Sequence, residues 1–508
     1  MNRKTDNDVM KTMSLYTCVF ALAWILLGSG CASFLEENPT DRLVINNFYS
    51  SRQDAEAAVS ATYQQLGSLY NRLMYNLAEL PTDVMKNGLG MPNAFLQDLE
   101  FMRYNAENTF IRDMWNNCYA GIMKANAAIN NIPNVTMDAG LQSRLIAEVR
   151  FLRALYYFNL VRFFGDVPLV TRLESIDDAM GPRISKDQVY EQIIQDLQEA
   201  ETVLPLRSQY AANEEGRATR GAAKILLGKV YLTQGNFAAA KNKLAEVVEH
   251  ESEYGYGLHS EYAANWNTET EAGIEAVFYI EYKKPPLPSN SEMGLAGPKY
   301  SVPGGNIGVA SSNEADIPTK ELWDVFDEND KRRATNLRYE FFSLIENANV
   351  LSSIPLFGKY WIDGLVAVDQ CDINMHIIRY ADALLMYAEA LNEEDESPKA
   401  HEVLNRIRER AFGDSSANFS ALGKEEFRQK ILDERRLEFP IEGHRWFDLV
   451  RSGTFIRRMK EHSAYEAGVA EKNKTDIAAN IKDYMTLMPI PQRELDLNPE
   501  LTQNPGWN

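Results

Sequence analysis

TRGAAKILLGKVYLTQGNFAAAKNKLAEVVEH, residues 219–250, is the stretch from which the rest of the chain can be read. Leu227 and Tyr231 stand four residues apart, and Leu244 and Val247 three, the spacing of one helical face. Gly235-Asn236 interrupts the pattern between them and marks a turn. Gly228 and Ala240 are small where two antiparallel helices would meet, so the seam can close and be filled by the four larger side chains. The stretch predicts a helical hairpin.

The same residues follow the L-G-x2-Y … A-x3-F spacing of a tetratricopeptide repeat. Lys224 stands where that repeat usually has tryptophan, and its late proline is missing. Residues 380–411 repeat the pattern, with Ala400, Leu404 and Ile407 spaced like Ala240, Leu244 and Val247. Amphipathic helices are also predicted over 55–70, 114–132, 143–164 and 187–204, the third ending at Gly165-Asp166-Val167-Pro168. The expected fold is mainly α: a tetratricopeptide-like scaffold of at least four helix pairs, with an irregular loop-rich subdomain and few short strands. Stacked pairs share one continuous core, which accounts for 508 residues without clear linkers.

Three regions break the helical pattern. Residues 81–109 are rich in Gly, Asn, Pro and aromatics. Residues 283–318 form a long loop after a predicted strand at 276–282, and residues 351–376 are irregular. Long loops in a compact protein usually carry function or are disordered. The loop-rich insertions are placed near 81–109 and 265–376.

The N-terminus reads as a secretory signal over residues 1–30: Arg3, Lys4 and Lys11, then the apolar run 15–27, then Gly28-Ser29-Gly30. The run is too short to span a bilayer. Cys31 follows at once and leads into a polar stretch, which resembles a lipobox, with Leu27 one place further from the cysteine than usual. Cys31 is therefore expected to carry lipid and anchor a single domain, residues 31–508, to a membrane surface. Lys+Arg total 52 against 72 Asp+Glu, a net charge of −20, which argues against nucleic acid as a partner. Cys118 and Cys371 read as buried free thiols. The six histidines are scattered, without zinc spacing, and no metal or cofactor is expected.

The C-terminal third carries long ordered blocks, ILDERRLEFPIEGHRWFDLVRSG (431–453) and LMPIPQRELDLNPELTQNPGW (487–507). With AEVRFLRALYYFNLVRFFGDVPL (147–169), PTKELWDVFDENDKRR (318–333), RYADALLMYAEALN (379–392) and Cys31-SFLEENP, they resemble the SusD/RagB family of outer-membrane lipoproteins. The resemblance covers the chain from residue 31 almost to its end. It implies a non-catalytic cell-surface protein, lipid-anchored in the outer membrane. Such a protein captures a glycan and delivers it to a SusC-like TonB-dependent transporter, acting as its lid. Some members of the wider family serve peptide uptake, so a peptide ligand is the alternative.

The block at 433–448 offers Asp433, Glu434, Glu438, Glu442, His444 and Asp448, and paired carboxylates could hydrolyse a glycoside. Arg435, Arg436 and Arg445 are interleaved with them, however. Ion pairing lowers carboxylate pKa values, the opposite of what a general acid needs. The block therefore reads as structural, and a surface glycoside hydrolase using loop carboxylates such as Asp363 is the less favoured alternative. Trp115, Trp323 and Trp446 read as structural, and Trp507 as part of a docked C-terminus. Sugars present flat C–H faces between hydroxyls, so a site needs aromatic platforms with amide and charged partners. Candidates on loop position and chemistry are Lys86, Asn87, Met91, Asn93, Phe95 and Tyr104 in the first loop. Tyr300 and Asn306 are added from the second, and Tyr360 and Trp361 from the third.

Overall fold

The helical pairs begin at Arg52–Tyr70 (α1), where the Ser51 hydroxyl accepts from the Asp54 amide and the Asp54 carboxylate accepts from Ser51, a reciprocal cap. The computed structural model describes residues 48–88, 93–172, 180–283, 290, 315–343, 347–362, 371–468 and 477–507. Cys31 and the segment read as a signal lie outside them, as do Met91, Tyr300, Asn306 and Asp363. After α1 come Leu73–Glu79 (α2), Ala94–Glu100 (α3), Thr109–Asn131 (α4) and Ala139–Phe164 (α5). Lys186–Val203 (α6), Arg220–Thr233 (α7) and Phe237–Val248 (α8) follow.

These helices pack in a continuous series. α1 lies on α4, α4 on α5, α5 on α6, α6 on α7 and α7 on α8. The series continues from α8 onto Tyr380–Glu393 (α11), which pairs with Ser397–Phe412 (α12). The expected scaffold is present, and its helices start one to five residues earlier than the periodicity placed them. The reason lies in the caps. Asn108 opens α4 and Asp138 opens α5 by accepting backbone N–H groups that the apolar pattern does not register.

Close approach decides where glycine stands. A Cβ on Gly228 would fall 2.6 Å from Leu244 Cγ, so the α7–α8 seam admits no side chain there. A Cβ on Gly121 would fall 2.5 Å from the Tyr156 ring, and the Tyr156 hydroxyl donates to the Thr62 carbonyl at 2.7 Å, so one ring ties α1, α4 and α5. The core includes Tyr156, Tyr157, Phe158, Phe163 and Phe164, all fully buried, together with Trp115 and Trp446. Cys118 and Cys371 are buried free thiols. No helix of the described residues is long and apolar enough to cross a membrane.

Six short strands form three antiparallel pairs among the described residues. Met85–Asn87 (β1) pairs with Asp316–Pro318 (β3), and Ala276–Ile280 (β2) with Met375–Arg379 (β6). Leu337–Ser343 (β4) pairs with Ala348–Phe357 (β5). Two loop regions are therefore more ordered than expected. Residues 81–109 hold β1 and α3, and 351–376 begins inside a ten-residue strand. In β5 the outer half is mostly exposed and only Pro355–Phe357 are fully buried, so hydrophobic alternation was too weak to reveal it.

The C-terminal helices, Lys424–Glu438 (α13), Arg445–Arg451 (α14) and Phe455–Gly468 (α15), bind the scaffold to the irregular part through buried charge. Arg379 donates to Glu275 at 2.6 Å, Glu438 at 2.9 Å and Glu442 at 2.7 Å, all fully buried. Asp83 receives Arg445, Arg436 and Arg458, and Asp382 receives Lys229 and Arg435.

Candidate functional site

Strands β1 and β3 bring the described ends of the first two loops to one place. Just past the ladder, the Gly88 N–H donates to the Ala315 carbonyl at 2.7 Å and Asn87 Nδ2 donates to the same oxygen at 3.1 Å. Thr319 continues β3 into Lys320–Val325 (α9): its hydroxyl accepts from the Leu322 amide and donates to the Asp83 carbonyl at 2.8 Å.

The sequence-derived candidates fare differently in this setting. Lys86 is partly exposed, with its ammonium 3.4 Å from Glu466. Asn87 is buried, and its amide serves the loop junction. Asn93 caps α3, its Oδ1 accepting from Phe95 N at 2.9 Å. Phe95 is an exposed large apolar side chain, 37% accessible, and can present a face. Tyr104, Tyr360 and Trp361 cannot: all three are buried. Tyr104 packs on Trp507 with ring centroids 5.2 Å apart. Tyr360 donates to Met375 Sδ at 3.1 Å, and Trp361 meets Phe341 edge-on at 4.9 Å. Their loops fold back onto the core, so a loop position did not mean exposure. Trp507 itself is docked between Tyr104 and Tyr484, its indole N–H donating to the Leu487 carbonyl at 3.0 Å.

An open cleft of about 750 Å³ lies beyond α9. One wall carries Trp323, Arg332–Asn336 (α10) contributes Arg333, and the β4–β5 hairpin contributes Tyr339, Phe342, Asn349 and Leu351. The Trp323 and Tyr339 rings meet edge-to-face with centroids 4.5 Å apart, and the Arg333 guanidinium lies 4.0 Å from the Trp323 centroid. Trp323, Tyr339 and Phe342 are half-buried, Asn329 and Asn349 are exposed, and Leu351 is 78% exposed. Aromatic faces flanked by amides and a guanidinium are what a sugar ring requires, because its C–H faces stack while its hydroxyls seek donors and acceptors. Sequence reasoning placed Trp323 among the structural tryptophans because it sits in a block of the resembled family. The hairpin that sets Tyr339 against it has no counterpart in any local motif.

The carboxylates of the 433–448 block are committed elsewhere. Glu434 and Glu438 both meet Arg332, and Asp448 meets Arg435 and Arg451. Burial alone would raise Glu442, but Arg379 and Lys359 outweigh it and hold the carboxyl at about 2. Burial also opposes ionisation of Asp448, and Arg435 and Arg451 hold it at about 2. Burial, then the Lys229 ammonium, push His444 down to about 3. Groups so firmly ionised, or so firmly neutral, do not exchange protons near neutral pH. Among the described residues no cluster of His, Cys, Asp and Glu could hold a metal ion.

Two family descriptions match this chain: "SusD family" over residues 363–507, and "Starch-binding associating with outer membrane" over residues 33–232. A SusD-like protein of Formosa agariphila is 29% identical, the match covering 97% of this chain and all of that one. The starch-binding protein SusD of Bacteroides thetaiotaomicron is 23% identical, with 86% of each chain covered. Among solved structures, a laminarin-binding SusD-like protein superposes with a TM-score of 0.74 at 27% identity, covering 90% of this chain and all of that one. With the tetratricopeptide-like scaffold and the C-terminal block in place, the chain belongs to the SusD family.

Proposed function

We propose that this protein is a non-catalytic surface lipoprotein that captures a glycan and delivers it to a SusC-like TonB-dependent transporter, for which it acts as the lid. In this reading residues 1–30 are a signal peptide, Cys31 is acylated and holds the protein to the outer membrane, and residues 31–508 form one domain. The observation that carries the glycan assignment is the open cleft with half-buried Trp323 and Tyr339 beside exposed amides and Arg333. Two relatives named for binding starch and laminarin, both polysaccharides, support the same ligand class. The commitment of the 433–448 carboxylates to arginines supports binding without catalysis.

The test is calorimetric titration with a panel of polysaccharides, oligosaccharides and peptides, with each mixture assayed for cleavage products. Saturable heat with a glycan and no products is the expected result. Cleavage would overturn the non-catalytic assignment, and heat with peptides alone would replace the glycan by a peptide.

A further inference from the structure

Two neighbouring arginines on α10 have opposite surroundings. Arg332 is fully buried and meets Asp330, Glu434 and Glu438 at 2.7–3.0 Å. Arg333 is half-buried, and among the described residues it makes no ion pair and no side-chain hydrogen bond. Its Nε is out of water and has no partner, while its guanidinium plane rests on Trp323. Lys331 is exposed beside it on the cleft lining, and its charge also helps hold Asp414 below its ordinary value.

None of the carboxylates nearby forms an ion pair with Arg333 among the described residues, although its charge helps hold Asp324 below its ordinary value. Asp330 is held by Arg332, and Asp324 by Lys320 and Tyr465. Glu340 accepts from Asn349 at 2.7 Å. Glu328 is exposed on the cleft lining. In a chain with a net charge of −20, a guanidinium resting on an aromatic ring in an open cleft, with no carboxylate at ion-pair distance among the described residues, needs a reason. A buried donor without an acceptor costs stability, and an anionic ligand would supply that acceptor.

We propose that the cleft selects a glycan carrying negative charge, a uronate carboxylate or a sulfate ester, and that Arg333 contacts that group. The inference rests on the glycan-binding reading above and sharpens its ligand class. The guanidinium offers two parallel N–H donors to a carboxylate or sulfate, and Trp323 fixes its plane in advance. Tyr339 and Phe342 supply apolar contact for the ring that bears the charge, and Lys331 adds attraction at the rim.

The experiment titrates the purified protein with three oligosaccharides of equal length: a neutral glucan, a uronate-bearing chain and a sulfated chain. The expected result is at least about tenfold tighter binding of one charged chain than of the neutral one, as a charge-assisted contact gives. That preference should weaken with added salt and vanish in Arg333→Met, which keeps a long unbranched side chain without the charge. Arg333→Lys should restore part of it. Equal affinity for charged and neutral chains overturns the charge assignment and leaves the glycan reading standing. A preference that survives Arg333→Met overturns the role of Arg333. Should that variant fail to fold, the wild-type salt dependence decides: a charge preference indifferent to salt overturns the proposal. No binding by any of the three removes the glycan reading and this inference together.

Discussion

Arg332 and Arg333 stand side by side in sequence and belong to two different parts of the molecule. The first is part of a buried lattice of charge that joins α13 and α14 to β6, Glu275 and the helix pairs. The second faces an open cleft and rests on a tryptophan, without an ion pair among the described residues. In the lattice nearly every charge is answered, so these residues hold shape and have nothing left to offer a ligand. In the cleft, rings and donors remain half-buried with spare capacity. The contrast separates what keeps this protein folded from what it can bind, and it can be broken from either side.

Acid should act on the lattice most strongly. Glu442 and Asp448 are held at about 2 in the fold, against ordinary values of 4.5 and 3.8. A depressed carboxyl stabilises the fold above its unfolded value and loses that contribution as pH falls through its folded value. The loss for this pair is on the order of 5 kcal/mol between pH 4.5 and 2. His376 and His444, pushed by burial to about 4 and about 3, lose stability as pH falls from 6.5. Burial raises Glu79 and Glu271 to about 7, and they gain stability as pH falls from 7 to 4.5. The two pairs offset each other, so the thermal midpoint should stay nearly level from pH 7 to 4.5 and then drop steeply. A midpoint that collapses by pH 5.5 would show that the lattice does not hold its charges as drawn.

Removing one member should cost slightly less. Arg379→Met removes the cation that joins Glu275, Glu438 and Glu442, leaving them Arg410, Arg332 and Lys359, and loss of one partner of a buried pair costs about 3–5 kcal/mol. Urea unfolding measures this, and a cost below about 1 kcal/mol would mean that the network is dispensable. Purely steric damage comes next. Gly121→Ala forces a methyl group against the Tyr156 ring, which is tied to Thr62, and overpacking of this kind costs about 1–3 kcal/mol. A stabilised Gly121→Ala variant would mean that α4 and α5 can move apart.

The scaffold was legible in sequence because each helix pair repeats a local rule. Leu227, Gly228, Tyr231, Ala240 and Leu244 state in one stretch which faces meet, and residues 380–411 state it again. The arginine-interleaved block at 433–448 was legible as structural for a similar reason, since its neighbours along the chain already suggest ion pairing. The cleft obeys no local rule. Tyr339 meets Trp323 only because α10 turns the chain into a hairpin, and Arg333 differs from Arg332 only by which side of that short helix it occupies. Tyr104, Tyr360 and Trp361 mislead for the complementary reason. Each lies in a non-repeating stretch, yet tertiary contacts with Trp507, Met375 and Phe341 bury them. A residue's place in a loop says how the backbone runs, not which way the ring faces.

The smallest free-energy change bears most directly on function. Tyr339 is half-buried, and its one aromatic contact among the described residues is the edge-to-face meeting with Trp323, worth about 0.5–1.5 kcal/mol beyond its area. Tyr339→Ala should therefore move the unfolding free energy by about 1 kcal/mol or less, because among the described residues its side chain carries no buried ion pair or hydrogen bond. The same substitution should weaken glycan binding by about tenfold or more, equivalent to about 1.4 kcal/mol, since the ring is part of the platform rather than of the core. Thermal denaturation and calorimetric titration of one preparation read both quantities. A variant that loses binding while its midpoint holds places the site in this cleft. A variant that loses several kcal/mol of stability and binds normally would put Tyr339 in the scaffold and return the search to the exposed Phe95 beside the β1–β3 junction.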